Sequence, residues 1–404
     1  MSSIVRRPDD DAAETRAVQA RTVSGPAGLW FTKPPGVLRA IAVFAAVRLA
    51  GLAVVAAFDH AVGRSLSKSL SHSWDSKWYL SIAQHGYGHH SRETAAGLLQ
   101  TDWAFFPLYP ALIRAVATVL RLSVDQAALV VAWTAALAAA YGVYAVAHHV
   151  HGVAVATVTV ALWAMLPHSV VLTLAYTEPL FCALAAWCLY ALLTSHWPAA
   201  GALAALAGLT RPSGYALAAT VLVVALHQVV RRRGRVPAGL WAGALLAPVG
   251  WVGYVLWVGS RTGDVPHGYL KVQSAWNSRF DFGVQELDFL RGLFLNGGKV
   301  GYPLALVIVV VSVLLFVLLC LDRAPLALVV YAGALVTLVV LASGPFASKP
   351  RFLLPAFPLL IPVARAMVRG WWARRGQVLA VAGMLTAVSL TYGAYLVVLG
   401  KQPL

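Results

Sequence analysis

Long apolar runs recur from residue 37 to residue 397, broken by short polar segments. A helix needs about 20 apolar residues to cross a hydrocarbon core of about 30 Å. By that measure the pattern predicts spans at 37–57, 127–147, 153–171, 179–194, 197–210, 213–230, 238–259, 302–321, 325–343, 351–368 and 376–397. The runs are continuous rather than alternating, which excludes a transmembrane β-barrel. The expected fold is an all-α integral membrane protein, a polytopic helical bundle with about 11 spans.

Basic residues orient those spans. Arg6, Arg7, Arg16, Arg21, Lys33 and Arg39 put the N-terminus in the cytoplasm, and the clusters Arg231–Arg235 and Arg369–Arg375 mark further cytoplasmic loops. That sidedness decides the ambiguous segment 105–122. Counting it as a span would place Arg231–Arg235 outside. Its pattern offers an interfacial helix instead, with Leu108, Leu112, Ala115, Val116 and Val119 on one face and Arg114, Thr118 and Arg121 on the other. The chain then divides into a basic, disordered cytoplasmic tail (1–36), a membrane domain (37–397) and a short external tail (398–404). Within the membrane domain, 58–126 and 260–301 are large external loops. The tail holds no early apolar core of the kind a cleaved signal carries.

Composition sharpens the picture in two places. The chain is 60% hydrophobic and carries a formal charge of +16. On a membrane protein that charge reads as cytoplasmic loops and attraction to anionic lipid, not as a nucleic-acid surface. Only 15 of 404 residues are acidic, so an acid outside the basic loops is a candidate for chemistry. Cys182, Cys188 and Cys320 all lie in apolar runs and read as packing residues.

The most informative acid is Asp75. Residues 73–86 predict a short helix capped by Ser73 and ended by Gly86, with Trp74 and Trp78 at headgroup level. Asp75 falls in its first turn, where the helix dipole favours an ionised carboxylate. Such a group can act as a general base, or it can simply complete the helix start. On the expected sidedness, Glu178, Arg211, the 260–301 loop, Lys349 and Arg351 all fall on the same external face as Asp75.

The run Trp74-Asp75-x-x-Trp78-Tyr79-Leu80-x-Ile82-Ala83-x-His85-Gly86-Tyr87 resembles the signature loop of the PIG-V family, the second mannosyltransferases of GPI-anchor assembly and their bacterial relatives. Further matches follow in order. They are Ala104–Pro110, Tyr176-Thr177-Glu178, Thr210–Gly214, Tyr269–Trp276 and Pro350-Arg351-Phe352. Pro179 departs from the serine that commonly follows the glutamate.

The resemblance implies a GT-C glycosyltransferase in the cytoplasmic membrane, its active site facing outside. It would use a polyprenyl-phosphate-mannose donor and a lipid, glycan or protein acceptor, invert at the sugar, and take Asp75 as catalytic base. A lipid phosphate leaves readily, so one base and a few cations suffice. Arg211, Lys349 and Arg351 are the candidate phosphate ligands. An arginine in an apolar setting needs a partner, and Glu178 is available to Arg211, either as a structural salt bridge or beside the substrate. Lys349 and Arg351 also fit interfacial snorkelling. Trp78 counts with the site, and Gln273 and Trp276 suit a pyranose or an interfacial helix equally. No cofactor is expected. His85, His89 and His90, with Asp75 or Asp102, lack a tight metal-ligand spacing, so a divalent metal is not indicated. The rival from another class is a transporter or flippase for a lipid-linked sugar, which predicts repeat symmetry and a charged relay in the spans.

Overall fold

The structure is a computed structural model of the chain that describes residues 34–94, 97–296 and 301–400. The predicted N-terminal tail, except its last residues, and most of the predicted C-terminal tail lie outside the described residues.

Among the described residues six helical segments are long and apolar enough to cross a membrane: Val37–Ala61, Val124–Ala164, Pro212–Arg231, Ala238–Thr262, Gly301–Leu321 and Phe357–Leu399. Four more apolar helices are shorter: Leu108–Leu120, Glu178–Leu193, Trp197–Gly208 and Leu326–Leu341. The protein is therefore an integral, multi-pass helical membrane protein. Its first helix, α1 (Val37–Ala61), leads into the predicted external loop. That loop holds α2 (Leu66–Ser71), α3 (Ser76–His85), the antiparallel hairpin β1 (Ser91–Glu93) and β2 (Leu99–Thr101), and α4 (Leu108–Leu120). A capping box, Ser123 with Gln126, then starts α5 (Val124–Ala164).

The predicted break between runs 127–147 and 153–171 is present: the 41-residue α5 consists of two helices that meet at Gly152, whose backbone is not helical (φ 80°, ψ −176°). Unbroken, 41 residues would extend about 60 Å, roughly twice the hydrocarbon core, and glycine takes the left-handed φ without strain. Run 238–259 is split at Pro248 into α9 (Ala238–Leu246) and α10 (Val249–Thr262), after α6 (Glu178–Leu193), α7 (Trp197–Gly208) and α8 (Tyr215–Arg231). The 260–301 loop carries α11 (Gly268–Ala275) and α12 (Val284–Asn296). The chain then continues through α13 (Gly301–Leu321), α14 (Leu326–Leu341), the short α15 (Lys349–Phe352) and α16 (Ile361–Ala394).

Small residues let these helices close. A Cβ built on Gly201 of α7 would sit 2.3 Å from the Gly243 carbonyl oxygen of α9. This is the close backbone approach that packing between membrane helices favours.

Helix α4 forms where an interfacial helix was expected; Leu112 and Val116 of the predicted stripe pack against the core and Arg114, Thr118 and Arg121 are exposed, but the buried face is shifted. Tyr109, Pro110 and Ile113 are buried, whereas Ala115 and Val119 of the predicted stripe are exposed, Val119 at 78%. Tyr109 offers a large aromatic surface and a hydroxyl that reaches the Ala128 carbonyl at 3.1 Å. Lipid can solvate the valine side at no cost. Arg114 bonds the Ala83 carbonyl at 2.7 Å, capping the end of α3.

Candidate active site

The sequence puts Asp75 on the first turn of a helix; the structure makes it the residue just before that turn. Its backbone is helical, yet its side chain makes no capping bond. The predicted cap, Ser73, instead donates its hydroxyl to the Ser69 carbonyl. Trp74 sits between them at φ 39°, a conformation non-glycine residues rarely adopt. The carboxylate of Asp75 is thereby freed for a distant partner: Oδ2 accepts from Arg351 Nη1 at 2.7 Å, across 276 positions of sequence.

Asp75 lines a cavity of about 1490 Å³. The walls come from both predicted external loops, from the Arg211–Ser213 turn and from the segment 342–352. The polar segments that sequence sidedness assigned to one face do meet at one site.

Arg351 and Arg211 line the cavity, and Glu178 lies behind them at 1% exposure. Oε1 of Glu178 is in ion contact with Arg211 Nη1 and lies 3.2 Å from Arg351 Nε; these are charge contacts, and neither Glu178 oxygen nor Arg351 Nε makes a well-directed hydrogen bond among the described residues. Two carboxylates and two guanidiniums thus form one chain: Arg211, Glu178, Arg351, Asp75. Such pairing is what lets arginines sit within an apolar bundle. Arg351 also packs against the rings of Tyr176 and Phe352 at 5.3 and 5.0 Å. His168, buried behind it with both ring nitrogens unpartnered among the described residues, is pushed down to about 3, by burial first and then by Arg351. It therefore carries no competing charge.

Lys349 also lines the cavity, but it too is engaged. Its Nζ lies 2.9 Å from Glu286 of α12 and donates to the Val339 and Ala342 carbonyls at 2.5 and 3.0 Å. Burial pushes the lysine down and the glutamate up, in each case by more than the pairing restores. A second set of cations differs. Lys68, Lys77 and Arg92 line the cavity and are exposed, and among the described residues no carboxylate lies within salt-bridge distance of them.

The aromatic wall is built from residues far apart in sequence. Trp78 was expected at headgroup level; it is 7% exposed and packed inside the protein. It stacks on Phe105 at 5.4 Å and meets His90 and Trp276 edge-on at 4.3 and 5.0 Å. The reason is area: an indole gains more from three aromatic neighbours than from the interface. Trp74, by contrast, stays exposed. Gln273 donates to the Ala104 carbonyl at 3.1 Å, and Trp276 Nε1 is unpartnered among the described residues; both residues line the cavity.

The histidines divide. His90 joins the aromatic wall, and His85 and His89 lie 6.5 Å apart, ring to ring. Asp102 accepts the backbone N–H groups of Gly88, His89 and His90, so it folds the loop. Among the described residues no group of three or more His, Cys, Asp or Glu is arranged to hold a metal. Sequence reasoning missed Glu286, His168, Lys68 and Arg92. The scarcity of acids was the available signal for Glu286, which is buried on a helix whose neighbours Val284 and Leu287 are exposed.

This geometry, a helical membrane bundle with a loop-built cavity at one end, has solved counterparts. The ArnT structure from Cupriavidus metallidurans bound to undecaprenyl phosphate is similar, with a TM-score of 0.52 at 14% identity over 89% of this chain and 76% of that one. The oligosaccharyltransferase of Archaeoglobus fulgidus, tethered with an acceptor peptide, gives 0.50 at 12% identity over 93% of this chain and 56% of its own. At such identities the likeness establishes the fold alone. In sequence, residues 40–232, slightly less than half of the chain, match the family described as Mannosyltransferase (PIG-V). No curated protein sequence matches the chain. The chain is thus similar in fold to these two membrane enzymes and, over residues 40–232, similar in sequence to the Mannosyltransferase (PIG-V) family.

Proposed function

We propose that this protein moves a mannosyl residue from a polyprenyl-phosphate carrier to an acceptor hydroxyl at the outer leaflet of the cytoplasmic membrane, with inversion. The observation that carries this reading is Asp75: a carboxylate 28% exposed on its side chain, in the wall of a large cavity and fixed on one oxygen by Arg351. The remaining oxygen takes the proton of the acceptor hydroxyl. The acceptor oxygen bonds the anomeric carbon from one side while the bond to the phosphate oxygen breaks on the other. The electron pair leaves with the polyprenyl phosphate.

The cations divide the remaining work. Arg211, Lys349 and Arg351 are fixed by carboxylates and form a positive wall of set geometry. Lys68, Lys77 and Arg92 are free to close on the phosphate as its charge rises, a contact that strengthens in the transition state. Trp78 and Trp276 offer the sugar an aromatic surface, and Gln273 offers it an amide. The step as written draws on no cofactor. The acceptor class, whether lipid, glycan or protein, stays open in this proposal.

The test uses membranes holding the full chain, labelled undecaprenyl-phosphate-mannose and the endogenous acceptors. Asp75→Asn, inserted normally, is expected to lose transfer by about 10²–10⁴-fold. Equal transfer by the two proteins removes Asp75 from the mechanism. Label that crosses the bilayer with no glycosidic product would instead establish a transporter.

A further inference from the structure

Glu178 is the acid that the proposed reaction does not use. It is not part of the cavity wall, yet it touches both guanidiniums that are. Its position behind them has a consequence for Asp75. A carboxylate paired one-to-one with an arginine is a weakened base, because the cation favours its ionised form. Arg351 is not Asp75's alone: Nη1 points to Asp75, and Nε, on the other edge of the same rigid fork, faces Glu178 at 3.2 Å.

We infer that Glu178 is a positioning residue, whose charge beside the Nε edge holds Arg351 in place and offsets part of the guanidinium charge felt by Asp75. This rests on the reading of Asp75 as the base. Asp75 then stays aimed through one oxygen without losing its capacity to take a proton through the other. Arg211 contacts the same Glu178 oxygen and completes the balance of two carboxylates against two cations.

The other groups around Asp75 do not confuse the prediction. Tyr79 and Tyr176 are pushed far up, chiefly by burial, and stay neutral. His168 is neutral behind Arg351. Lys77 and His72 are exposed and screened by solvent. Neutralising Glu178 therefore leaves Arg351 to act on Asp75 alone, and Asp75 should titrate lower.

Two readouts test this on the full chain. Isotope-edited infrared titration follows the Asp75 carboxylate band, identified by subtraction of Asp75→Asn, in protein reconstituted in vesicles. Initial rates from labelled undecaprenyl-phosphate-mannose give kcat, KM and the acid limb of the pH profile in membranes. Glu178→Gln is expected to lower the Asp75 midpoint and the acid limb together by about one pH unit and to cut kcat about tenfold, with donor KM within about twofold. Glu178→Asp should restore the midpoint and most of kcat. An unmoved midpoint overturns the inference, as does a rise in KM with kcat intact.

Should Glu178→Gln fail to insert, Arg351→Lys takes its place. It keeps the charge but cannot span both carboxylates, so a fall in kcat is expected and wild-type kinetics overturns the inference. Full transfer by Asp75→Asn is a separate failure, that of the base assignment, whatever Glu178→Gln does.

Discussion

Two sets of cations face the same cavity and live under different physics. Arg211, Lys349 and Arg351 are buried, and each is held by a carboxylate. Lys68, Lys77 and Arg92 are exposed and unpaired among the described residues. A buried cation has lost its water, and its partner charge is the condition of its being there. It is fixed in place, and little of its charge is available to a ligand. An exposed lysine keeps its hydration and rotamer freedom and can give both up to a phosphate. The difference teaches that lining a cavity and binding its ligand are separate properties. Charge type alone does not tell them apart.

The largest effect that could break this contrast is at Arg351. Arg351→Ala leaves Asp75 and Glu178 facing each other without the bridging cation, so it is expected to cost about 3–5 kcal/mol of stability and to abolish transfer. Thermal unfolding in detergent and the transfer assay check the two parts. A variant that folds as wild type and loses only donor affinity would place Arg351 with the ligand-binding set instead.

The Lys349–Glu286 pair sharpens the same point. Breaking it by Lys349→Met should destabilise by about 3–5 kcal/mol, while Lys349→Met with Glu286→Leu should return stability to near or above the starting value. The two pKa directions agree with this: burial raises Glu286 and lowers Lys349, each against the pull of its partner. The sign with pH follows. The carboxyl of Glu286 is raised in the fold, so its contribution to stability is present at acid pH and is lost as pH climbs through the raised value. Lys349 is lowered, so its contribution is present above the ordinary lysine range and is lost as pH falls through its folded value. A charged pair that maximises stability at neutral pH, read from unfolding across pH, would contradict both.

A smaller effect is expected at the free cations. Lys68→Ala, Lys77→Ala and Arg92→Ala should each raise donor KM by about two- to tenfold. The effect should shrink at high salt, because exposed charges are screened over about 10 Å at 0.1 M. Stability should be unchanged. The smallest effect is at the far basic loop: Arg231→Ala and Arg233→Ala, both exposed and remote from the cavity wall, should leave transfer within twofold. Their combined loss should weaken the topology instead, which accessibility labelling from either side of the membrane reads out.

Much of this molecule was legible in one dimension. Whether a segment enters the bilayer depends on the summed transfer free energy of its own residues, and its sidedness on its own flanking charges. Both are local. For that reason the runs near 37–57, 213–230 and 302–321 mark helices close to those observed, and Asp75, Arg211, Gln273, Trp276, Lys349 and Arg351 line one cavity as their common face implied. The PIG-V resemblance likewise rests on short local motifs, and residues 40–232 bear it out.

What packing alone decided is who meets whom. The sequence offered Glu178 to Arg211, but it gave no sign that Arg351 would bridge that pair to Asp75. It placed Trp78 in the interface, yet Phe105, His90 and Trp276 draw it inside. Insertion is an energy of each segment with its solvent, whereas ion pairs and aromatic contacts are energies between segments far apart in the chain. Only the folded bundle brings those partners within the few ångströms at which such forces act.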